Sequence, residues 1–107
     1  MTLIDQALSV LNRGGLVAIP TETVYGLAAE ATNEKAIAAV FHAKGRPVDH
    51  PLLVHIAHGS DIFEWVRHCP EGAHRLIDHF WPGPLTLILP KQPTVLDIIT
   101  ASEDTVG

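Results

Sequence analysis

The chain has 107 residues and a mass of 11.6 kDa, the size of one domain of about 100–150 residues, which leaves no room for a second module. With 47% hydrophobic and 18% charged residues and a mean hydropathy of +0.22, it has the apolar content of a packed domain and not of a disordered tail. A formal net charge of −5 and a sequence pI near 5.7 exclude whole-chain attraction to nucleic acid, so any phosphate contact must be local.

The first element predicted is an amphipathic helix over residues 2–13, with Leu3, Ile4, Ala7, Leu8 and Leu11 on one face and Gly14-Gly15 as its stop. Leu16-Val17-Ala18-Ile19 follows as a short apolar run closed by Pro20, the form of a strand buried on both faces. A loop over 21–26 leads to a second helix, capped by Asn33, with Ala36, Ile37, Val40 and Phe41 on one face and Lys44-Gly45 at its end. Residues 46–51 contain two prolines and read as loop, and 52–57 read as a second buried strand. That order is βαβ, which predicts parallel strands joined by a right-handed crossover.

Helical patterns recur over 61–68 and 70–80, the latter opening with Pro70 where no amide donor is required. Pro82-Gly83-Pro84 breaks the chain, with Trp81 reading as part of a packed turn, and residues 85–89 read as a third strand. The tail from Pro90 carries only a weak apolar patch at Val95, Leu96, Ile98 and Ile99. Thr105-Val106-Gly107 looks like the opening of a further strand, so the expectation is a chain cut inside its domain. The single cysteine, Cys69, cannot form an internal disulfide, and residues 2–13 contain no signal-like apolar block, so a reducing, cytoplasmic compartment is expected. No apolar run approaches the roughly 18 residues that span a bilayer, and no membrane association is expected.

Three places could carry chemistry. The loop Pro20-Thr21-Glu22-Thr23-Val24-Tyr25-Gly26 gathers two hydroxyls, a carboxylate and a phenol after a strand, where α/β folds place ligands. The same hydroxyls could equally serve only the turn's own backbone. Lys44-Gly45-Arg46-Pro47 sets two cations side by side in an acidic chain. They suit a triphosphate or a carboxylate, or they simply complement the negative end of a helix. His55 interrupts an apolar strand, where a buried ring needs a hydrogen-bond partner. His55 and His58 stand three apart and His74 and His79 five apart, spacings that with one cysteine argue against zinc. No Walker loop and no Gly-x-Gly-x-x-Gly is present.

Taken together, the run from Gly14 through Pro20-Thr21-Glu22-Thr23-Val24-Tyr25-Gly26-Leu27, then Lys44-Gly45-Arg46-Pro47, His50-Pro51-Leu52-Leu53-Val54-His55-Ile56, Trp81-Pro82-Gly83-Pro84-Leu85-Thr86 and Asp104-Thr105-Val106 closely resemble the YrdC-like threonylcarbamoyl-AMP synthase family. The resemblance covers essentially the whole chain. It implies an α/β fold, a twisted mixed β-sheet flanked by helices with a concave active face, of which residues 1–107 form a C-terminally incomplete YrdC-like domain, roughly the N-terminal half.

The activity it implies is a nucleotidyltransferase reaction in the cytoplasm, joining L-threonine, bicarbonate and ATP into threonylcarbamoyl-adenylate with release of pyrophosphate. A tRNA-modifying transferase complex would then receive the adenylate. By the resemblance, Thr23 and His55 contact threonine, with Thr21 and Tyr25 in the same substrate loop. Arg46 contacts ATP with Lys44 as its basic companion, and His50 and Thr105 are nucleotide positions, His50 standing where the family often has asparagine. Lys44, Arg46 and Mg²⁺ carried with ATP would neutralise charge as threonine carbamate attacks the α-phosphate. No nucleophilic side chain is required. Family members continue past this point into further substrate-binding segments, so the chain alone is expected to be inactive.

Two other readings compete. A YrdC-like module of a hydrogenase-maturation carbamoyltransferase makes a carbamoyl-adenylate from carbamoyl phosphate, and competition between the two substrates separates them. A non-catalytic RNA-binding module with weak tRNA affinity is disfavoured by the negative charge and would show a steep salt dependence.

Overall fold

In the computed structural model, the described residues are 2–21, 23–45, 47 and 49–107. They form two compact units, Met1–His50 and Pro51–Gly107. The first opens with helix α1, Leu3–Asn12, where the predicted helix lies. Its start is a capping box: the Thr2 hydroxyl accepts from the Asp5 amide at 3.1 Å, and the Asp5 carboxylate accepts from the Thr2 amide at 3.2 Å. Gly14, at φ +82°, turns the chain out of the helix. A Cβ there would lie 2.8 Å from the Asn33 side chain, so the turn needs glycine for space as well as for backbone freedom.

The chain then enters strand β1, Val17–Pro20, whose burial alternates between half-buried and exposed. The expectation of a strand buried on both faces is therefore corrected. The parallel βαβ crossover is corrected too: β1 pairs antiparallel with β2, Tyr25–Ala28, in a register running from Val17 opposite Ala28 to Pro20 opposite Tyr25. The crossover is expected to end in 52–57, which form no regular strand; bonds inside the loop after β1 instead fold the chain back within four residues onto an adjacent antiparallel partner.

Helix α2, Glu34–Lys44, is where pattern and structure agree most fully. Asn33 caps it by accepting from the Ala36 amide at 3.0 Å, and Gly45 ends it in the left-handed conformation at φ +61°. Ala36, Ile37, Val40 and Phe41 are all buried, as their shared face predicts.

In the second unit, the predicted buried strand over 52–57 is not a regular strand. Leu52 donates to the Ile99 carbonyl at 2.8 Å and Val54 to the Gly107 carbonyl at 2.9 Å, while side chains alternate between half-buried and exposed. The predicted helix over 61–68 contracts to a 3₁₀ turn, Ile62–Glu64, capped by Asp61. The reason lies across the unit: Gln92 donates to the carbonyls of Phe63 and Val66, both at 3.1 Å, and Val66 forms a β-bridge with Lys91. Those contacts take the backbone groups that a continuing helix would use.

Helix α3, Glu71–Phe80, follows Pro70 as predicted, and the Trp81 indole donates to the Leu85 carbonyl at 2.8 Å, closing the Trp-Pro-Gly-Pro turn. The predicted third strand over 85–89 is reduced to β3, Leu89–Pro90. It pairs antiparallel with β4, Thr105–Val106, the further strand that the sequence predicts. The tail between them is more than a weak patch: it contains α4, Asp97–Thr100, and buries Val95 and Ile99, which with Val66, Leu89 and Val106 are among the buried side chains of this unit. Among the described residues no helix is long and apolar enough to cross a membrane.

Candidate functional site

The hairpin loop between β1 and β2 is organised by Thr21. Its amide donates to the Val24 carbonyl at 3.1 Å, and its hydroxyl donates to the same oxygen. The hydroxyl also accepts from the amides of Val24 at 3.3 Å and Thr23 at 3.4 Å. Thr21 thus serves the turn's backbone, one of the two roles open to it from sequence.

Thr23 is placed differently. Its hydroxyl lies 3.5 Å from that of Thr21, with either able to donate, and its side chain is exposed. Since Thr21 spends its proton on Val24 and its lone pairs on two amides, the exposed Thr23 hydroxyl keeps donor and acceptor capacity for an outside partner. Tyr25, at the start of β2, is 76% exposed, so its phenol is open to a ligand. Glu22 lies outside the described residues.

Lys44 is the last residue of α2 and is exposed. With His42 it forms the basic last turn of that helix, which suits the helix dipole and equally leaves the ammonium free to meet an anion. Arg46, the predicted ATP contact, lies outside the described residues. His50 is exposed, and its amide donates to the Pro47 carbonyl at 3.2 Å.

In the second unit His55 is exposed, which corrects its reading as a buried strand residue in need of a protein partner; water can serve the ring. Thr105 is half-buried, opposite Pro90 in the β3–β4 pair. The bond from the Val54 amide to Gly107 brings the His55 segment alongside the end of β4, so these two predicted contacts sit on adjoining stretches of backbone. Cys69 is buried, and that burial pushes its thiol pKa up, the opposite of an activated nucleophile. Among the described residues no three His, Cys, Asp or Glu side chains gather into a metal-sized group.

Two features that adjoin the predicted site residues were not expected from the sequence. One is β2, which makes the Thr21–Thr23 loop a hairpin tip. Its signal was the four-residue run Tyr25-Gly26-Leu27-Ala28 directly after a polar turn. The other is Lys91, whose ammonium bonds to Asp97 and Thr100; nothing in the local pattern marks it.

A family model named Sua5_yciO_yrdC and described as "Telomere recombination" matches residues 9–107, running through both units. The chain is 50% identical over 101 residues to a threonylcarbamoyl-AMP synthase of Pyrococcus abyssi, taking in 94% of this chain and 30% of that protein. It is 49% identical over 105 residues to the enzyme of the same name from Bacillus subtilis, taking in 97% of this chain and 30% of the relative. A solved structure of P. abyssi Sua5 complexed with L-threonine matches with a TM-score of 0.91 at 50% identity, over 96% of this chain and 30% of that one. A doubly substituted variant of P. abyssi Sua5 matches with a TM-score of 0.92. The chain therefore spans about 30% of the length of these two curated relatives.

Proposed function

We propose that this chain, which belongs to the Sua5/YciO/YrdC family, carries the threonine-binding loop and part of the nucleotide site of a threonylcarbamoyl-AMP synthase. The observation that carries the reading is the hairpin tip. Thr21 is consumed by the turn, and the exposed Thr23 hydroxyl is held beside it, in a chain half identical to a protein solved with L-threonine.

In the proposed reaction the threonine amine takes up the carbon of bicarbonate with loss of water. The resulting carbamate oxygen attacks the α-phosphorus of ATP, and pyrophosphate leaves. Both partners are anions, so the protein's task is to hold them in line and offset their charge. Lys44 and Arg46 would do the second. Thr23, His55 and Tyr25 would hold the amino acid, with Thr21 fixing the turn that presents Thr23, and His50 and Thr105 would contact the nucleotide.

ATP would enter as its Mg²⁺ complex, the ion keeping water and phosphate oxygens as ligands. Among the described residues no three His, Cys, Asp or Glu side chains gather to hold it. The adenylate would pass to a tRNA-modifying transferase, with catalysis requiring segments that the longer relatives have beyond the matched stretch.

Titration of L-threonine into the isotope-labelled chain tests this reading. Saturable amide shifts at Thr23 and His55 are expected, with none from L-valine, which lacks the hydroxyl. Thr23→Val should weaken threonine by about 1–3 kcal/mol, the cost of an unmet polar group. Lys44→Ala should leave the threonine shifts intact and weaken ATP. A dispersed spectrum that ignores threonine overturns the assignment of this loop.

A further inference from the structure

We propose that Lys91 is a positioning residue for the nucleotide part of the site, acting through the turn that delivers Thr105; the inference rests on the reading of Thr105 given above. Lys91 follows β3 directly, and its side chain is only 11% exposed. The ammonium lies 2.7 Å from the Asp97 carboxylate and 2.8 Å from the hydroxyl of Thr100, which is itself 1% exposed. Its backbone amide donates to the Asp104 carbonyl at 2.9 Å. One residue thus grips the beginning and end of α4 with its side chain and the residue before Thr105 with its backbone.

What lies between those grips is strained. Ala101 and Ser102 stand consecutively in the left-handed region, at φ 53° and 63°, a conformation that residues with a Cβ adopt at a cost. The turn is closed by Ser102 donating to the Asp97 carbonyl and Glu103 to that of Thr100, both at 3.0 Å. Strain of this kind persists only where the surroundings over-determine it, and an ammonium is buried favourably only when it is paired. The buried cation and the strained turn answer each other: Lys91 ties down the two α4 residues whose carbonyls close the turn. Thr105 follows three residues after Ser102, and its place in β4 is set by this turn on one side and by pairing with Pro90 on the other.

The test uses Lys91→Met, which keeps a long unbranched side chain and removes the charge, with Thr100→Val and Thr100→Ser as a pair that deletes or retains the hydroxyl. Amide exchange is followed at Ser102 and Glu103, and L-threonine and ATP are titrated separately into each variant. Lys91→Met and Thr100→Val are expected to speed exchange at both amides and to weaken ATP by about tenfold, the loss of a buried hydrogen bond to a charge. Threonine affinity should be unchanged, and Thr100→Ser should restore ATP binding. That split separates positioning from general destabilisation, which would weaken both ligands. If Lys91→Met loses its dispersed spectrum, the Thr100 pair decides. ATP affinity unchanged in Thr100→Val, whether or not exchange speeds up, overturns the role of Lys91 alone. A wild-type chain that binds threonine and ignores ATP overturns the nucleotide assignment of Thr105, and this inference with it.

Discussion

Two helices of the first unit start from the same kind of sequence and end differently. Both α1 and α2 have an apolar stripe at helical spacing and a side-chain cap, Thr2 for one and Asn33 for the other. Yet α2 buries Ala36, Ile37, Val40 and Phe41, whereas α1 has no fully buried side chain, with Ala7, Val10 and Leu11 half-buried and Leu3 83% and Ile4 73% exposed. The helix with the stronger amphipathic pattern is the one left uncovered. An apolar stripe records that a face can be buried, while burial itself depends on what the rest of the chain brings to it. Here the cover reaches α2, and between α1 and β1 there remains an open apolar groove of about 570 Å³ lined by Leu3, Ile4, Ala7, Val10 and Val17 among others.

The sharpest way to break this contrast is in the middle of the α2 face. Phe41→Ala should lower stability by about 3–5 kcal/mol, the cost of emptying a buried aromatic site, read as a fall in the urea midpoint at constant slope. A loss below 1 kcal/mol would mean that the α2 face is no better covered than that of α1.

The same contrast explains how much could be read from the sequence. Where local signals and burial agree, as over Asn33, Ala36, Ile37, Val40, Phe41 and Gly45, the element, its cap and its end were all legible. Where partners distant in sequence decide, they were not. Residues 61–68 have a helical pattern, but Gln92, some 29 residues after Phe63, takes their carbonyls. Residues 52–57 and 85–89 read as strands, the first buried, but each is covered on alternate residues only, so His55 comes to the surface.

The candidate site divides in the same way. The polar turn at Thr21 and Thr23 was visible as a turn, and its bonds are local. Which of the two hydroxyls the turn would consume was not, because that depends on the fold-back that β2 imposes. The Lys91 contacts with Asp97 and Thr100 span six and nine residues, on a segment whose helix is a single turn, too short to announce itself by periodicity.

A middle-sized effect sharpens the comparison at the caps. Asn33 accepts from the Ala36 amide in a part-buried setting and touches the Gly14 turn, while the Thr2 capping box is exposed. Asn33→Ala should therefore cost about 1–2 kcal/mol and Thr2→Ala nearer 0.5 kcal/mol, the two ends of the range for such caps. Equal losses at the two positions would show that α1 is as firmly coupled to its unit as α2.

The smallest effect is the most discriminating. Ile4→Ser removes an apolar side chain that is already 73% exposed, so little burial is forfeited, and the expected change is within about 0.5 kcal/mol, as for surface positions generally. The measurement is a thermal midpoint taken across a range of protein concentrations. If Ile4→Ser leaves the midpoint in place at every concentration, the stripe on α1 is open in solution as in the structure. If it lowers a midpoint that rises with concentration in the wild type, a second copy is covering the stripe, since only a binding partner makes a midpoint depend on concentration. The difference between the two helices would then lie in where the cover comes from, and not in whether it exists.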